Sequence, residues 1–106
     1  MKVFDVYYTN EAFDDLLSIH HYIADDLKEE INAKKQIEKI RDSINGLSTL
    51  PSRHKEVSFS PWKEKHIHQM LVDNYLVFYN INEMFSKVVI LRIMYSKRNL
   101  EEIISK

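Results

Sequence analysis

The sequence predicts an α+β domain in which a pair of antiparallel helices packs on a mainly antiparallel sheet. In the first half of the chain, apolar residues recur every three or four positions, which is typical of amphipathic helices. In the second half, short runs of β-branched and aromatic residues are separated by turn-forming residues, which is typical of strands. With 106 residues, 44% of them hydrophobic, the chain has the size and composition of one domain spanning residues 1–106.

The N-terminal stretch "KVFDVYY" (2–8) predicts a first strand because β-branched and aromatic residues dominate it. Thr9 and Asn10 follow as natural N-cap residues, and the next positions carry acidic side chains that the helix dipole favours. The spacing predicts one helix to about Lys28, with an apolar stripe that includes a histidine at the edge of the core. The stripe consists of Phe13, Leu16, Leu17, His20, Ile23, Ala24 and Leu27.

A second amphipathic helix is predicted from its own apolar stripe, in which positions advance alternately by four and three residues. These positions are Ala33, Ile37, Ile40, Ile44 and Leu47. The helix is expected to end before Leu50-Pro51, because proline disfavours helical geometry in the residue that precedes it. Two successive helices with one apolar stripe each are expected to pack as an antiparallel hairpin.

The second half predicts a three-stranded antiparallel meander. Residues 52–65 show no clear period and are predicted to form a loop, with a short strand near Val57. The strands are "HIHQMLV" (66–72), "YLVFYNI" (75–81) and "KVVILRIMY" (87–95). Asp73-Asn74 suits a tight hairpin turn. Asn99 with Glu102 resembles a capping box and predicts a short C-terminal helix.

Composition excludes several classes of site. The chain has no cysteine, so it offers neither a thiolate metal site nor a cysteine nucleophile, and this composition fits a reducing cytoplasm. A single glycine excludes a glycine-rich phosphate loop. The sequence shows neither the layout of a signal peptide nor an apolar run long enough to span a membrane. We therefore expect a cytoplasmic protein with no metal and no cofactor.

Charge is distributed unevenly along the chain. The formal net charge is −1, which argues against indiscriminate nucleic-acid binding through a cationic surface. Residues 1–50 carry six Lys and Arg against ten Asp and Glu, a net of −4, whereas residues 51–106 carry nine against six, a net of +3. Acidic and basic poles can therefore form on one small domain, and the basic half contains the last predicted strand.

Strand alternation selects the candidate functional residues. His66 and His68 share one side of the second strand, while the last strand ends in Tyr95, Lys97 and Arg98. We expect these imidazoles, the phenol and the cations to gather on the sheet face that the helices leave bare. Such a face suits single-stranded RNA or a protein partner.

Two of these assignments have structural alternatives. His66 and His68 have the spacing of a metal-binding pair, but solvated strand histidines are the more common case when no cysteine or carboxylate pattern accompanies them. Arg92 lies in the middle of an aliphatic strand, where an unpaired guanidinium is costly. It is therefore expected either to pair with a carboxylate or to open onto a functional surface.

Three stretches of the chain resemble the RelE/ParE superfamily of toxins from bacterial type II toxin–antitoxin systems. They are "AFDDLLSIHHYIADDL", "AKKQIEKIRDSINGLSTLP" and "MLVDNYLVFYNINE…VVILRIMYSKRN", and together they cover nearly the whole chain. The resemblance implies a toxin that inhibits growth and that a cognate antitoxin holds inactive in a hetero-oligomer of the two proteins.

The resemblance implies two different mechanisms. A RelE-like toxin cuts mRNA on the ribosome, and here His66, His68 and Tyr95 would transfer protons while cations stabilise the developing phosphorane charge. A ParE-like toxin binds and poisons DNA gyrase and need not be an enzyme. The residues expected to bind the target are Arg92, Tyr95, Lys97 and Arg98.

Three features favour the ParE-like mechanism. His68 stands where the superfamily often has arginine, Asn99 replaces the usual aspartate, and the long helical hairpin with its mild net charge looks ParE-like. A third alternative is a degenerate member that binds its antitoxin and DNA but no longer inhibits growth.

Overall fold

The computed structural model describes residues 2–97, and its elements follow the predicted order, which confirms the α+β class. They are β1 (Asp5–Tyr8), α1 (Asn10–His21), α2 (Glu30–Asn45), β2 (His68–Val72), β3 (Tyr75–Asn82) and β4 (Lys87–Tyr95). No helix within this part of the chain has the length and apolarity that crossing a bilayer requires. The predicted C-terminal helix, with Asn99 and Glu102, lies outside the described residues.

The four strands form one mixed sheet in the order β1-β4-β3-β2. β2, β3 and β4 make the predicted antiparallel meander, and β1 pairs in parallel with β4. The helical hairpin provides the crossover that a parallel pair needs. β1 pairs only with residues 87–90 of β4, so another element must cover that edge of β4 beyond Ile90.

The start of α1 covers part of this edge. The Thr9 hydroxyl caps the helix by accepting from Ala12 N at 3.1 Å, as predicted, and donates to the carbonyl of Leu91 at 3.0 Å. α1 continues as a π-helical turn over Tyr22–Asp26, and Lys28 takes a left-handed φ of 55° where the chain reverses into α2. The predicted antiparallel hairpin is present, although its first arm is not a uniform α-helix.

The buried stripe of α1 is rotated from the predicted one. Phe13 and Leu17 are 55% and 46% exposed, and His20 is exposed as well, so its prediction as a core-edge histidine is wrong. The buried positions of this arm are Ala12, Leu16, Ile23 and Ala24. The rotation directs Asp15 towards β4, where its carboxylate hydrogen-bonds to strand atoms.

The stripe of α2 is buried as predicted. Ala33, Ile40, Ile44 and Leu47 are fully buried against the sheet or the first arm. α2 ends at Asn45 and passes through a short 3₁₀ turn, and Leu50 takes a left-handed φ of 47° just before proline. Burying a large aliphatic side chain contributes about 1.5–3 kcal/mol, so this stripe is a main source of stability.

The prediction of a bare sheet face is wrong. Opposite the helices, the segment between α2 and β2 folds over the sheet and forms a second small core. Its members are Val57, Phe59, Trp62, Ile67, Leu76, Phe78, Leu91 and Met94. The rings of Trp62 and Phe78 lie 4.8 Å apart, and Val57 N donates to the carbonyl of Ile67 at 2.7 Å. An aperiodic segment thus supplies the cover that an apolar sheet face requires.

Candidate functional site

Arg92 is held by a carboxylate from α1. Its Nε and Nη2 donate to the two carboxylate oxygens of Asp15 at 2.8 and 3.1 Å, and Ile93 N donates to the same carboxylate at 2.8 Å. The strand register shifts just before this point, since Phe78 faces Arg92 while Tyr79 faces Ile90. The resulting bulge re-aims β4 where its pairing with β1 ends.

The pairing with Asp15 decides between the two expectations for Arg92. The hydrogen bonds and charge of Asp15 raise the pKa of Arg92, and the Arg92 side chain is about one-third exposed. Bidentate arginine–carboxylate pairs combine charge with fixed geometry. Arg92 is therefore tied to α1 by a carboxylate, which is the first of the two expectations.

Tyr95 is the last residue of β4, and Lys97 follows it in a turn. Tyr95 is 40% exposed and its ring meets that of Tyr75 edge-on, with centroids 5.9 Å apart. Ser96 N donates to the carbonyl of Asn74 at 2.7 Å, which ties the end of β4 to the β2–β3 turn. The Lys97 side chain is exposed. Arg98, predicted beside them, lies outside the described residues.

A groove of about 700 Å³ opens beside Tyr95, between the helical hairpin and the end of β4. We call it the tyrosine groove. It is lined by Asp15, Ser18, Ile19, Tyr22, Ile23, Leu27, Glu29, Asn32, Gln36, Asn74, Tyr75, Ile93, Met94 and Tyr95. Its size is in the range of cavities that hold small ligands or peptide side chains.

His66 and His68 point to different partners. His66 precedes β2 with a φ of 55°, is exposed, and has its Nδ1 3.0 Å from Glu56 Oε1. His68 Nδ1 donates to the carbonyl of His54 at 2.7 Å, and its ring stacks on that of Tyr79 at 5.4 Å. Tyr79 packs in the core between the helices and the sheet. His68 therefore lies on the helix-covered face of the sheet, whereas it was predicted on the opposite face.

The surroundings of His68 form a packed cluster of rings. His54 meets the ring of Tyr79 edge-on at 6.5 Å, and its Nε2 is buried without a partner among residues 2–97. Burial, with Arg53 and His68 nearby, lowers the pKa of His54. The Tyr79 hydroxyl donates to the Pro51 carbonyl at 2.6 Å, and burial raises the pKa of Tyr79 to about 12. Since these atoms already have partners or are buried, the cluster offers little to a substrate.

The predicted proton-transfer residues do not converge. His68 is opposite Tyr79 on β3, while Tyr75, four residues earlier on β3, is opposite Tyr95. At about 3.3 Å per residue, this offset alone is roughly 13 Å along the strand. Of the predicted target-binding residues, Tyr95 and Lys97 are both exposed near the end of β4, whereas Arg92 is paired with Asp15.

Sequence reasoning missed several lining residues of the tyrosine groove, above all Tyr22 and Glu29. Tyr22 is 53% exposed on the first arm of the hairpin, and a large exposed aromatic there was the available signal. Glu29 lies in an acidic stretch between the two helices, where the sequence indicates an exposed turn and no binding site. Which residues face the groove depends on the π-helical turn, and the apolar spacing does not reveal this turn.

A protein-family model matches residues 6–100, and its description is "ParE toxin of type II toxin-antitoxin system, parDE". The chain belongs to the ParE toxin family. This membership confirms the resemblance to the RelE/ParE superfamily and makes the protein a toxin of the type II toxin–antitoxin class. No curated protein matches the sequence at a significant level.

Solved structures of toxin–antitoxin complexes share the fold of this ParE-family chain. A chain of the chromosomal ParDE system of P. aeruginosa has a TM-score of 0.73 at 18% identity, covering 92% of this chain and 100% of that one. A chain of the RelBE2 complex of Mycobacterium tuberculosis has a TM-score of 0.62 at 21% identity, covering 90% and 93%. A chain of the archaeal RelE–RelB complex of Pyrococcus horikoshii has a TM-score of 0.62 at 13% identity, covering 92% and 99%.

Proposed function

We propose that this ParE-family toxin inhibits growth by binding DNA gyrase and that a cognate antitoxin neutralises it. The match to the ParE family over residues 6–100 supports the class of target, and the neighbours from toxin–antitoxin complexes support an antitoxin partner. In this proposal the toxin acts as a binding protein. The exposed end of β4, with Tyr95 and Lys97, is the surface proposed to contact gyrase, and Arg98 is proposed to extend it.

The observation that carries the proposal is the separation of the groups that RNA cleavage would need. A metal-independent ribonuclease requires a base and an acid within hydrogen-bond reach of one phosphate, together with a cation for its developing charge. Here His68 is engaged with a backbone carbonyl, Tyr95 is at the other end of the sheet pairing, and Arg92 is held by Asp15. A target bound through a surface does not need these groups to converge.

The decisive experiment compares the two targets with the same protein sample. The toxin is co-purified with the protein encoded beside its gene, separated from it and refolded. It is then added to a gyrase supercoiling assay and to a translation reaction whose mRNA is mapped by primer extension. Growth is followed in parallel after induction without the antitoxin.

We expect dose-dependent loss of supercoiling, arrested growth with DNA-damage signalling, and intact mRNA. Ribosome-dependent cuts in the mRNA with unchanged supercoiling would overturn the proposal in favour of a RelE-like ribonuclease. Unchanged growth after induction of folded toxin would overturn it in favour of a degenerate member that acts only in its antitoxin complex.

A further inference from the structure

The tyrosine groove has an aromatic wall. Tyr75 and Tyr95 meet edge-on with ring centroids 5.9 Å apart, and Tyr22 lines the opposite, helical side with about half of its surface exposed. All three tyrosines line the same groove, and burial together with the nearby hydroxyls of Tyr95 and Tyr22 raises the pKa of Tyr75. Tyrosine ring faces carry a negative quadrupole that attracts ammonium and guanidinium groups.

The charged residues that line the groove are acidic. Its described lining residues include two carboxylates and no lysine, arginine or histidine. Asp15 is already offset by Arg92, whereas the Glu29 side chain has no hydrogen bond or ion pair within residues 2–97. Glu29 is exposed, and Asp26 and Glu30 beside it are exposed as well. A carboxylate that has no counter-ion among the described residues, and that lines a groove with three tyrosines, complements a cation.

The remaining lining suits a peptide more than a free ion. Leu27 is 49% exposed, and the buried Ile23 and Ile93 add apolar surface. The side-chain amides of Asn32 and Asn74 make no hydrogen bond within residues 2–97, so they can pair with the backbone of an extended or helical segment. Apolar walls with a few polar groups are typical of sites that fix the orientation of a ligand.

We propose that the tyrosine groove docks a segment of the antitoxin that inserts one arginine or lysine side chain between the tyrosines and Glu29, with apolar residues on either side of it. The proposal rests on the toxin having an antitoxin partner and is independent of the gyrase target. Tyr95 borders both this groove and the surface proposed to meet gyrase. A docked segment would therefore cover part of that surface, which links binding in the groove to neutralisation.

The test uses the antitoxin encoded beside the toxin's gene and measures its affinity for toxin variants by calorimetry. Glu29→Gln removes the charge and keeps the shape, and Tyr22→Leu removes a ring while keeping an apolar side chain. We expect each to weaken binding about tenfold, as truncation of a charge pair or cation–aromatic contact does. Glu38→Gln, at an exposed position of α2 outside the groove, is the matched control and is expected to stay within about twofold.

A second arm changes the antitoxin. Each of its lysines and arginines is replaced in turn by methionine, and one replacement is expected to weaken binding as much as Glu29→Gln does. Combining that replacement with Glu29→Gln is expected to cause little further loss, because both remove one contact. Thermal unfolding of every variant verifies that it is folded.

Two results would overturn the proposal. One is an affinity of folded Glu29→Gln and Tyr22→Leu toxins equal to that of Glu38→Gln. The other is an antitoxin in which no basic residue is coupled to Glu29. Inhibition of gyrase by the unmodified toxin is measured separately, so failure of the groove and failure of the proposed target appear in different assays.

Discussion

Arg92 on β4 and Asp15 on α1 form a bidentate ion pair, with nitrogen–oxygen distances of 2.8 and 3.1 Å. The same carboxylate accepts the N–H of Ile93, a backbone donor on the edge of β4 that β1 does not reach. One side chain of α1 thus supplies an acceptor to this edge of β4 and a counter-ion to Arg92. The pair positions the hairpin relative to the end of β4, and therefore shapes the tyrosine groove.

Asp15→Asn is expected to destabilise the fold by about 2–3 kcal/mol, since charged hydrogen bonds are lost and Arg92 is left without its counter-ion. Urea unfolding measures the change. Asp14→Asn, at the exposed neighbouring position, controls for loss of one carboxylate near the start of α1 and is expected to change stability by less than about 0.5 kcal/mol. Equal effects of the two variants would contradict a special role for the pair.

Trp62→Ala is expected to lower the free energy of unfolding by about 2 kcal/mol, because the half-buried indole packs on Phe78 in the second core. Trp62 is the chain's single tryptophan, so its fluorescence reports directly on this segment. Phe85→Ala, at a ring that is 64% exposed, is the control. A native emission maximum equal to that of the unfolded chain would show that the segment does not cover the sheet.

Tyr79→Phe is expected to cost about 1 kcal/mol at neutral pH, since the Pro51 carbonyl loses its donor. It is also expected to change the alkaline limb of the stability curve. The folded pKa of Tyr79 is about 12, above its usual value of 10. Below pH 10 both states hold the proton. Between pH 10 and 12 the unfolded chain releases it first, so stability falls by up to about 1.4 kcal/mol per pH unit.

Urea titrations of wild type and Tyr79→Phe between pH 8 and 12 measure this contribution as the difference between the two curves. Tyr7→Phe, at an exposed tyrosine, controls for removal of a phenol. Parallel curves for wild type and Tyr79→Phe above pH 10 would be incompatible with the buried hydroxyl.

His68→Ala separates the two mechanisms of toxicity. In a gyrase-binding toxin, we expect growth inhibition to persist once it is corrected for the amount of folded protein, with about 1 kcal/mol lost from the ring stacking and hydrogen bond. His66→Ala, at an exposed histidine, is the control. Growth that recovers fully while the variant remains folded would instead point to proton transfer by His68.

The double variant Lys97→Ala, Arg98→Ala tests the target-binding surface. Removing both cations is expected to weaken gyrase inhibition at least about tenfold while leaving the fold intact. Charges at the edge of an interface raise the rate at which two proteins associate. The exposed lysines 63 and 65, both changed to alanine, form a control with the same loss of charge. Undiminished toxicity of the first pair would show that this end of β4 is not the contact.

Several features were predictable because they depend on local patterns. The stripe of α2, the cap at Thr9 and the β2–β3–β4 meander follow from spacing and turn residues, and the structure has all three. The sequence also narrowed Arg92 to two outcomes. Because burying an unpaired guanidinium is costly, Arg92 was expected either to pair with a carboxylate or to reach an exposed surface.

Tertiary structure decided what local patterns do not encode. Four features depend on residues that are far apart in the chain. They are the parallel pairing of β1 with β4, the pairing of Arg92 with Asp15, the cover over the second sheet face, and the distance between His68 and Tyr95. A strand pattern shows which residues share a face, but not which face a distant aperiodic segment will bury. The sequence by itself therefore determined the fold class and the family. Packing between distant segments determined which of the candidate residues remain available to a partner.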